Sequence, residues 1–329
     1  MVARGPLSLG IVLAALTAAG SAFAAPLTQI GSLPLGSAQG AIDDLAFDFA
    51  NQRLFVLESG AGQIAVVDLT TGAVSQTVTG LAKPSGLARD PEDDRLYVAT
   101  GAGKLEAFEG VPLKPAAGIA IGPGIGLLHY DPGSERVYFA FGSKKIAIVD
   151  TTHNKHWNDI RLDGRPGPLA LEDDGTRIFI GVVGEGRILV ADRGDNKQTA
   201  SWTTATSTDP VALAIDAGAG RLLAAFRNPA SLAWLDLADG TPKGSLPACA
   251  DPGRLLADSD RGRVYLTCAS GSVEIYGRDS AGNYAKQGSI ETAPGATAAL
   301  LSPTSGRLYL AVPASTGHVA EVRIYEPGS

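Results

Sequence analysis

The residues able to do chemistry in this 329-residue chain fall into three small sets. Two cysteines, Cys249 and Cys268, are the whole thiol content, and four histidines follow: His129, His153, His156 and His318. Structural and catalytic zinc sites need at least three protein ligands. His153 and His156 stand with Trp157 in a polar turn that offers no third, so they read as solvated side chains. The last set is scattered over distant segments. It holds the oxygen donors Asp44, Glu58, Asp209, Asp251 and Asn228 and the cations Lys83, Arg165, Arg227 and Arg254. Such oxygens suit a hard divalent cation such as calcium, able to polarise a carbonyl and activate water; the cations suit a polar ligand. No compact signature accompanies them: the chain has no G-x-S-x-G, no H-E-x-x-H, no phosphate loop and no cofactor fingerprint. No cofactor is expected, and a divalent cation enters only if the oxygens converge.

Convergence depends on the elements that carry these residues, and a repeat defines them. Seven segments begin with Arg and continue apolar: Arg53-Leu-Phe, Arg95-Leu-Tyr, Arg136-Val-Tyr, Arg177-Ile-Phe, Arg221-Leu-Leu, Arg263-Val-Tyr and Arg307-Leu-Tyr. Their intervals are 42, 41, 41, 44, 42 and 44 residues. A period of about 40 to 45 residues is that of a four-stranded propeller blade. No segment sustains the 3.6-residue apolar period of a helical repeat. Within each unit an apolar strand (Leu45-Ala46-Phe47; Leu213-Ala214-Ile215) leads to a turn rich in Asp, Gly, Ser and Pro, and Arg opens the second strand. The third strand often ends in Asp, as at Asp68, Asp150, Asp192 and Asp236, and a more polar outer strand follows. Alternation and β-branched content predict strands half-buried between neighbouring blades. The expected fold is all-β: a single seven-bladed β-propeller of four-stranded antiparallel blades over residues 25–329. The seventh unit lacks an outer strand, and Leu27–Leu33, ahead of the first unit, is expected to pair beside His318–Tyr325 and close the ring.

Residues 1–24 read as a cleavable signal peptide. Arg4 precedes the apolar run Leu7–Ala19, and Ala22-Phe23-Ala24 gives a small-x-small site with cleavage after Ala24. No later stretch reaches the ~20 apolar residues of a membrane helix. A periplasmic or secreted, monomeric protein is expected. The formal charge is −7, and losing Arg4 makes the mature chain one unit more acidic. With no basic run, it lacks the electrostatic footprint of a nucleic-acid binder.

The second strands (LFVL, LYVA, VYFA, IFIG, VYLT, LYLA) resemble the YVTN repeat of bacterial periplasmic propellers. The resemblance covers essentially the whole mature chain. Its C-terminal third (Arg263-Val-Tyr-Leu-Thr-Cys-Ala-Ser-Gly-Ser-Val-Glu-Ile-Tyr, Thr292-Ala-Pro-Gly-Ala, Arg307-Leu-Tyr-Leu-Ala-Val-Pro) looks like the YncE-like branch. The fifth unit departs from it, with Leu-Leu-Ala-Ala after Arg221. The resemblance implies fold and export and assigns no biochemical role.

Blade geometry then sorts the candidates. Loops entering the first strand and loops joining strands two and three share one face of such a ring. The first group supplies Asp44, Lys83, Arg165, Asp209, Asp251 and Arg254; the second supplies Glu58, Arg227, Asn228 and His318. Together they predict a charged channel mouth fitted to a polar small molecule or an envelope protein. The repeated Arg and strand-ending Asp occupy one structural position in blade after blade and read as architecture, the Asp residues as Asx-turn acceptors. Cys249 precedes the first strand of the sixth unit and Cys268 ends its second. The hairpin turning near Ser259–Gly262 brings them to the same end of the sheet. In an oxidising compartment they are expected to form a disulfide contributing ~3 kcal/mol. The favoured reading is a non-catalytic binding or scaffolding propeller. The alternative, by analogy with gluconolactonase-type propellers, is a divalent-metal lactonase using Asp44, Glu58, Asp209, Asp251 and Asn228.

Overall fold

A computed structural model describes, besides Met1, residues 27–36, 39–204 and 207–328. The expected cleavage point and the rest of the leader lie outside them. The described residues form seven antiparallel sheets of four strands, six of them paired in chain order from the inner to the outer strand. Blade one, for example, comprises Asp44–Asp48, Arg53–Glu58, Gln63–Asp68 and Val74–Thr79. The seventh takes three strands from the end of the chain, Ala299–Leu301, Leu308–Val312 and Ala320–Pro327, and its outer strand, Leu27–Gly36, from the beginning. Leu27 faces Pro327 and Gly36 faces Ala320, so the ring closes as the strand count predicts. Fifth-unit strands, despite their departure from the motif, form a regular sheet over residues 208–247.

Seven apolar clusters lie between successive blades, one per interface. The expectation of half-buried strands holds for the outer strands and fails for the middle ones. Leu54, Phe55, Val56 and Leu57 are all fully buried, as are Tyr97, Tyr138, Phe179 and Tyr265 at the motif's aromatic position. A middle strand is flanked by its own sheet in plane and by a neighbouring blade on each face, so it reads as a continuous apolar run. Strict alternation survives in outer strands such as Val74–Thr79 and Lys197–Thr203, where one face meets water.

Four of the seven repeated Arg residues clasp a neighbouring blade, while Arg221 and Arg307 pair with Asp236 and Glu326 of their own blades. Arg53 donates through Nε and Nη2 to Asp48 of its own turn (2.9 and 2.5 Å) and through Nη1 to the carbonyl of Gly110 in blade two (2.9 Å). Arg95 reaches the Thr151 carbonyl of blade three (3.1 Å), Arg177 that of Leu237 in blade five (2.6 Å) and Arg263 that of Gly328 in blade seven (2.5 Å). Acids ending the inner strands answer in kind. Asp90 accepts from Tyr130 of the next blade (3.0 Å), Asp131 pairs with Arg193 (2.5 Å), and the fully buried Asp216 accepts from Arg278 (2.7 Å) and Tyr284 (2.6 Å). Asp68, Asp150, Asp192 and Asp236 accept backbone N–H groups two or three residues downstream in their turns, the Asx role expected of them. Cys249 and Cys268 are disulfide-bonded with Cα atoms 6.1 Å apart, pinning the loop that enters blade six to the end of its second strand. His156 and Trp157 belong to the outer strand Lys155–Arg161 rather than to a turn, and Arg136 stacks on Trp157 at 3.6 Å.

Two substitutions separate closure from clasping. Leu33→Ala, in the closing strand and 7% exposed, is expected to cost about 2–4 kcal/mol. Asp216→Ala, which strands Arg278, is expected to cost about 3 kcal/mol. Urea unfolding monitored by tryptophan fluorescence measures both; a loss below 0.5 kcal/mol in either, roughly the noise of an unimportant surface change, contradicts the assignment.

Candidate functional site

Five of the seven inner strands carry a β-bulge at the same level. Register slips between Pro84 and Gly86, Ile125 and Leu128, Pro166 and Leu169, Pro210 and Ala212, and Pro252 and Leu255. A bulge leaves one or two residues unpaired and re-aims them. Here Leu127, Pro168, Val211, Gly253 and Arg254 from four blades turn onto one channel cavity of about 190 Å³. Asp43, His129 and Thr297 line it as well. It lies toward the face built by the entering loops and the second-to-third loops, where the sequence placed the site.

Arg254 is the charged residue that this geometry delivers. Its Nη2 donates to Asp44 Oδ1 (2.8 Å) and to the Asp43 carbonyl (3.3 Å), linking blade six to blade one past blade seven. Gly253 makes the approach possible: a Cβ there would lie 2.8 Å from both Thr297 Cβ and Thr267 Oγ1. Thr267 Oγ1 accepts the Arg254 backbone N–H (2.7 Å) and donates to the Thr297 carbonyl (2.8 Å), fixing the bulge to blade seven. Asp44 also accepts the amides of Leu45 (3.0 Å) and Leu87 (2.9 Å). Burial pushes its carboxyl above the usual range, with Arg254 and those amides opposing.

His129 projects from the inner strand of blade three onto the cavity wall. Burial, reinforced by the positive charge of Arg254, lowers its pKa to about 4. The imidazole is therefore neutral at pH 7, and no hydrogen bond engages its ring among the described residues.

The other expected site residues divide by what they touch. Arg227 gathers Asp209 (3.1 Å) and Asp251 (3.8 Å) into a rim cluster where blades five and six meet. Lys83, Arg165 and His318 are exposed, and among the described residues none forms an ion pair. Lys83 has a left-handed backbone (φ 49°). His318 sits in a bridge with Ser315 just ahead of the third strand, which begins at Ala320. Asn228 precedes a cis proline, and its carbonyl accepts from Thr208 (3.2 Å). Glu58, which ends the second strand of blade one, is buried at 2% exposure. Its Oε2 accepts from Gln63 (2.7 Å), its Oε1 is buried without a partner, and burial raises its pKa.

The five oxygen donors of the lactonase alternative thus do not converge. Asp44 is committed to Arg254, Asp209 and Asp251 to Arg227, and Glu58 is enclosed elsewhere. Among the described residues, the one group of three His, Cys, Asp or Glu with ligand atoms within 4.8 Å of each other is Cys249, Cys268 and Glu274, whose sulfurs are spent in the disulfide. The four carboxylates of that alternative therefore share no cation site among the described residues.

His129 stood among the four histidines of the sequence without a placement, and Thr267 and Gly253 were missed. A signal for the bulges was present in Pro84-Ser-Gly-Leu, Pro166-Gly-Pro-Leu and Pro252-Gly-Arg-Leu, glycines inside otherwise apolar strands. The opposite channel mouth was passed over as well. There the first-to-second turns of blades four to seven frame a vestibule of about 850 Å³ edged by Glu172, Asp173, Asp174, Asp258 and Asp260, with Arg261.

No protein-family model and no curated protein matches the chain. Among solved structures it is similar to a chain of the Mitotic Checkpoint Complex, with 14% identity, a TM-score of 0.76, and 98% of both chains covered. It is also similar to Kuenenia stuttgartiensis hydrazine synthase (16% identity, TM-score 0.75, covering 87% of this chain and 96% of that one). Chaetomium thermophilum Raptor gives 17% identity and a TM-score of 0.74 over 92% of this chain and 29% of that one. At these identities the likeness establishes the fold: the chain is a seven-bladed β-propeller.

Two titrations follow. His129 has its folded pKa below the unfolded value of 6.5, so the unfolded chain binds the proton first as pH falls. Stability is therefore lost between pH 6.5 and about 4, by up to ~3 kcal/mol at 1.36 kcal/mol per unit. His129→Leu is expected to flatten that part of the stability–pH curve; an unchanged slope contradicts a neutral imidazole on the cavity wall. Glu58 has the opposite sense, since a raised carboxyl loses stability as pH rises through its folded pKa. Glu58→Gln should gain about 1 kcal/mol at pH 7 and little at pH 4 in urea titrations.

Proposed function

We propose that this protein is an exported, non-catalytic binding or scaffolding propeller of the cell envelope, with its working surface on the face that carries Arg254. The carrying observation is a contrast between the two ends of the ring. At one end, the acids that recur at the inner-strand ends are spent on partners in the next blade, as Asp48 is on Arg89 and Asp216 on Arg278, and the turns beyond them edge the vestibule with acids and a single cation, Arg261. Charges that break the repeat gather on the other face: the Asp44–Arg254 pair over an open cavity, the Arg227 cluster, and exposed Lys83 and Arg165. Concave sites with a few convergent polar groups are where propellers bind. Export is supported by the sequence of the leader and by a disulfide, which persists in oxidising compartments. No helix among the described residues is long and apolar enough to cross a membrane. Kinship with the YVTN-repeat propellers remains the family reading, supported by the Arg-aliphatic-aromatic strands.

Thermal-shift screening of polar metabolites and envelope components, followed by charge reversal, tests the reading. Lys83→Glu and Arg165→Glu are exposed changes expected to leave folding intact and to weaken binding of a discovered ligand or partner at least tenfold. Asp174→Asn, at the opposite mouth, is expected to leave it unchanged. Binding that ignores Lys83 and Arg165 but follows Asp174 would place the working surface at the wrong end of the ring.

A further inference from the structure

We infer that the channel cavity is a site for the carboxylate of a small, apolar-bodied organic acid, held by Arg254; the inference rests on the binding reading above and names its ligand class. A guanidinium carries five N–H donors. Nη2 is engaged by Asp44 and the Asp43 carbonyl. The remaining three, on Nε and Nη1, have no acceptor among the described residues, and neither atom is sealed from solvent. They belong to a side chain lining a cavity, where a charge-assisted bond to a carboxylate is about twice as strong as a neutral one. His129, neutral and unengaged on the same wall, adds a ring N–H.

The rest of the cavity fixes the body and the charge of the ligand. Leu127, Leu169, Val211, Leu213 and Ala298 make its walls, which favour an aliphatic chain over a sugar. Its 190 Å³ equals about six waters at ~30 Å³ each, room for an acid of a few carbons. Asp44 already balances the one guanidinium, so a ligand is held by the free N–H donors rather than by net charge, and a second ligand charge has no cation to meet. Monocarboxylates fit; dicarboxylates and phosphate dianions are repelled.

Calorimetry on the full mature chain at pH 7 and low salt, with 4-methylpentanoate, 4-methylpentanamide and succinate as probes, decides the matter. The monoacid is expected to bind with Kd on the order of 0.1–1 mM, the range for so small a ligand. The amide and succinate are expected to bind at least tenfold more weakly. Arg254→Gln should abolish binding, but it leaves buried Asp44 without its cation. Val211→Phe therefore accompanies it, filling the cavity with the ion pair intact, and should abolish binding too. Equal affinity for acid and amide, no binding of the acid at 10 mM, or binding that survives Val211→Phe overturns the inference. A ligand or partner that responds to Lys83→Glu and Arg165→Glu but not to Val211→Phe overturns it as well, while leaving the proposed face standing.

Discussion

Every sheet in this ring has two apolar faces, and only two neighbouring sheets can cover them. That constraint orders the rest of the structure. It explains why Leu54 to Leu57 are apolar without alternation, and why the aromatic position of the motif is buried in every blade where an aromatic occupies it except the seventh, where Tyr309 is only partly covered. It also requires the ring to close, because an open ring would expose one face of its first blade and one of its last. Leu27–Gly36 meets the requirement by supplying the outer strand of blade seven, with Leu27, Leu33 and Leu35 buried. At ~1.5–3 kcal/mol for each buried leucine, these three side chains alone rival the net stability of an ordinary domain.

The same constraint sorts the charges. Clasps between neighbours must sit at equivalent places, so Arg at the head of the second strand and acids at the end of the first recur with the period. Each clasp is shielded by the blades it joins: Asp48, Asp131 and Asp216 are all buried. Residues free of that duty are found where blades differ, in the entering loops and the bulges of the inner strands. Asp44 and Arg254 illustrate the difference. They are neither neighbours in the chain nor members of adjacent blades, and their pairing depends on the curvature of the whole ring. The channel site is thus a property of the closed assembly.

How far the sequence could be read follows from these distinctions. Period, strand order, closure and the disulfide were legible because each is encoded locally: an Arg-aliphatic-aromatic triplet, a spare strand, a cysteine at each end of a hairpin. The face holding Arg254 was legible from up-and-down blade geometry alone. Which of its charges meet was not, since 210 residues separate Arg254 from Asp44 and no local pattern reports the contact. The burial of Glu58 was not legible either, because an acid at the end of a strand looks the same in sequence whether it is covered or exposed. The alternation expected of middle strands failed for a related reason, as burial on both faces erases the period of two. Three of the oxygen donors that matched a cation by atom type, Asp44, Asp209 and Asp251, turned out to be divided between two arginines.

Native-state hydrogen exchange at rising urea concentration tests the mutual dependence of the blades most directly. If each blade is stable only between its neighbours in a closed ring, the slowest amides of all seven middle strands, from Arg53–Glu58 to Leu308–Val312, converge on one unfolding isotherm. Separate isotherms, with some blades opening while others stay protected, would contradict it.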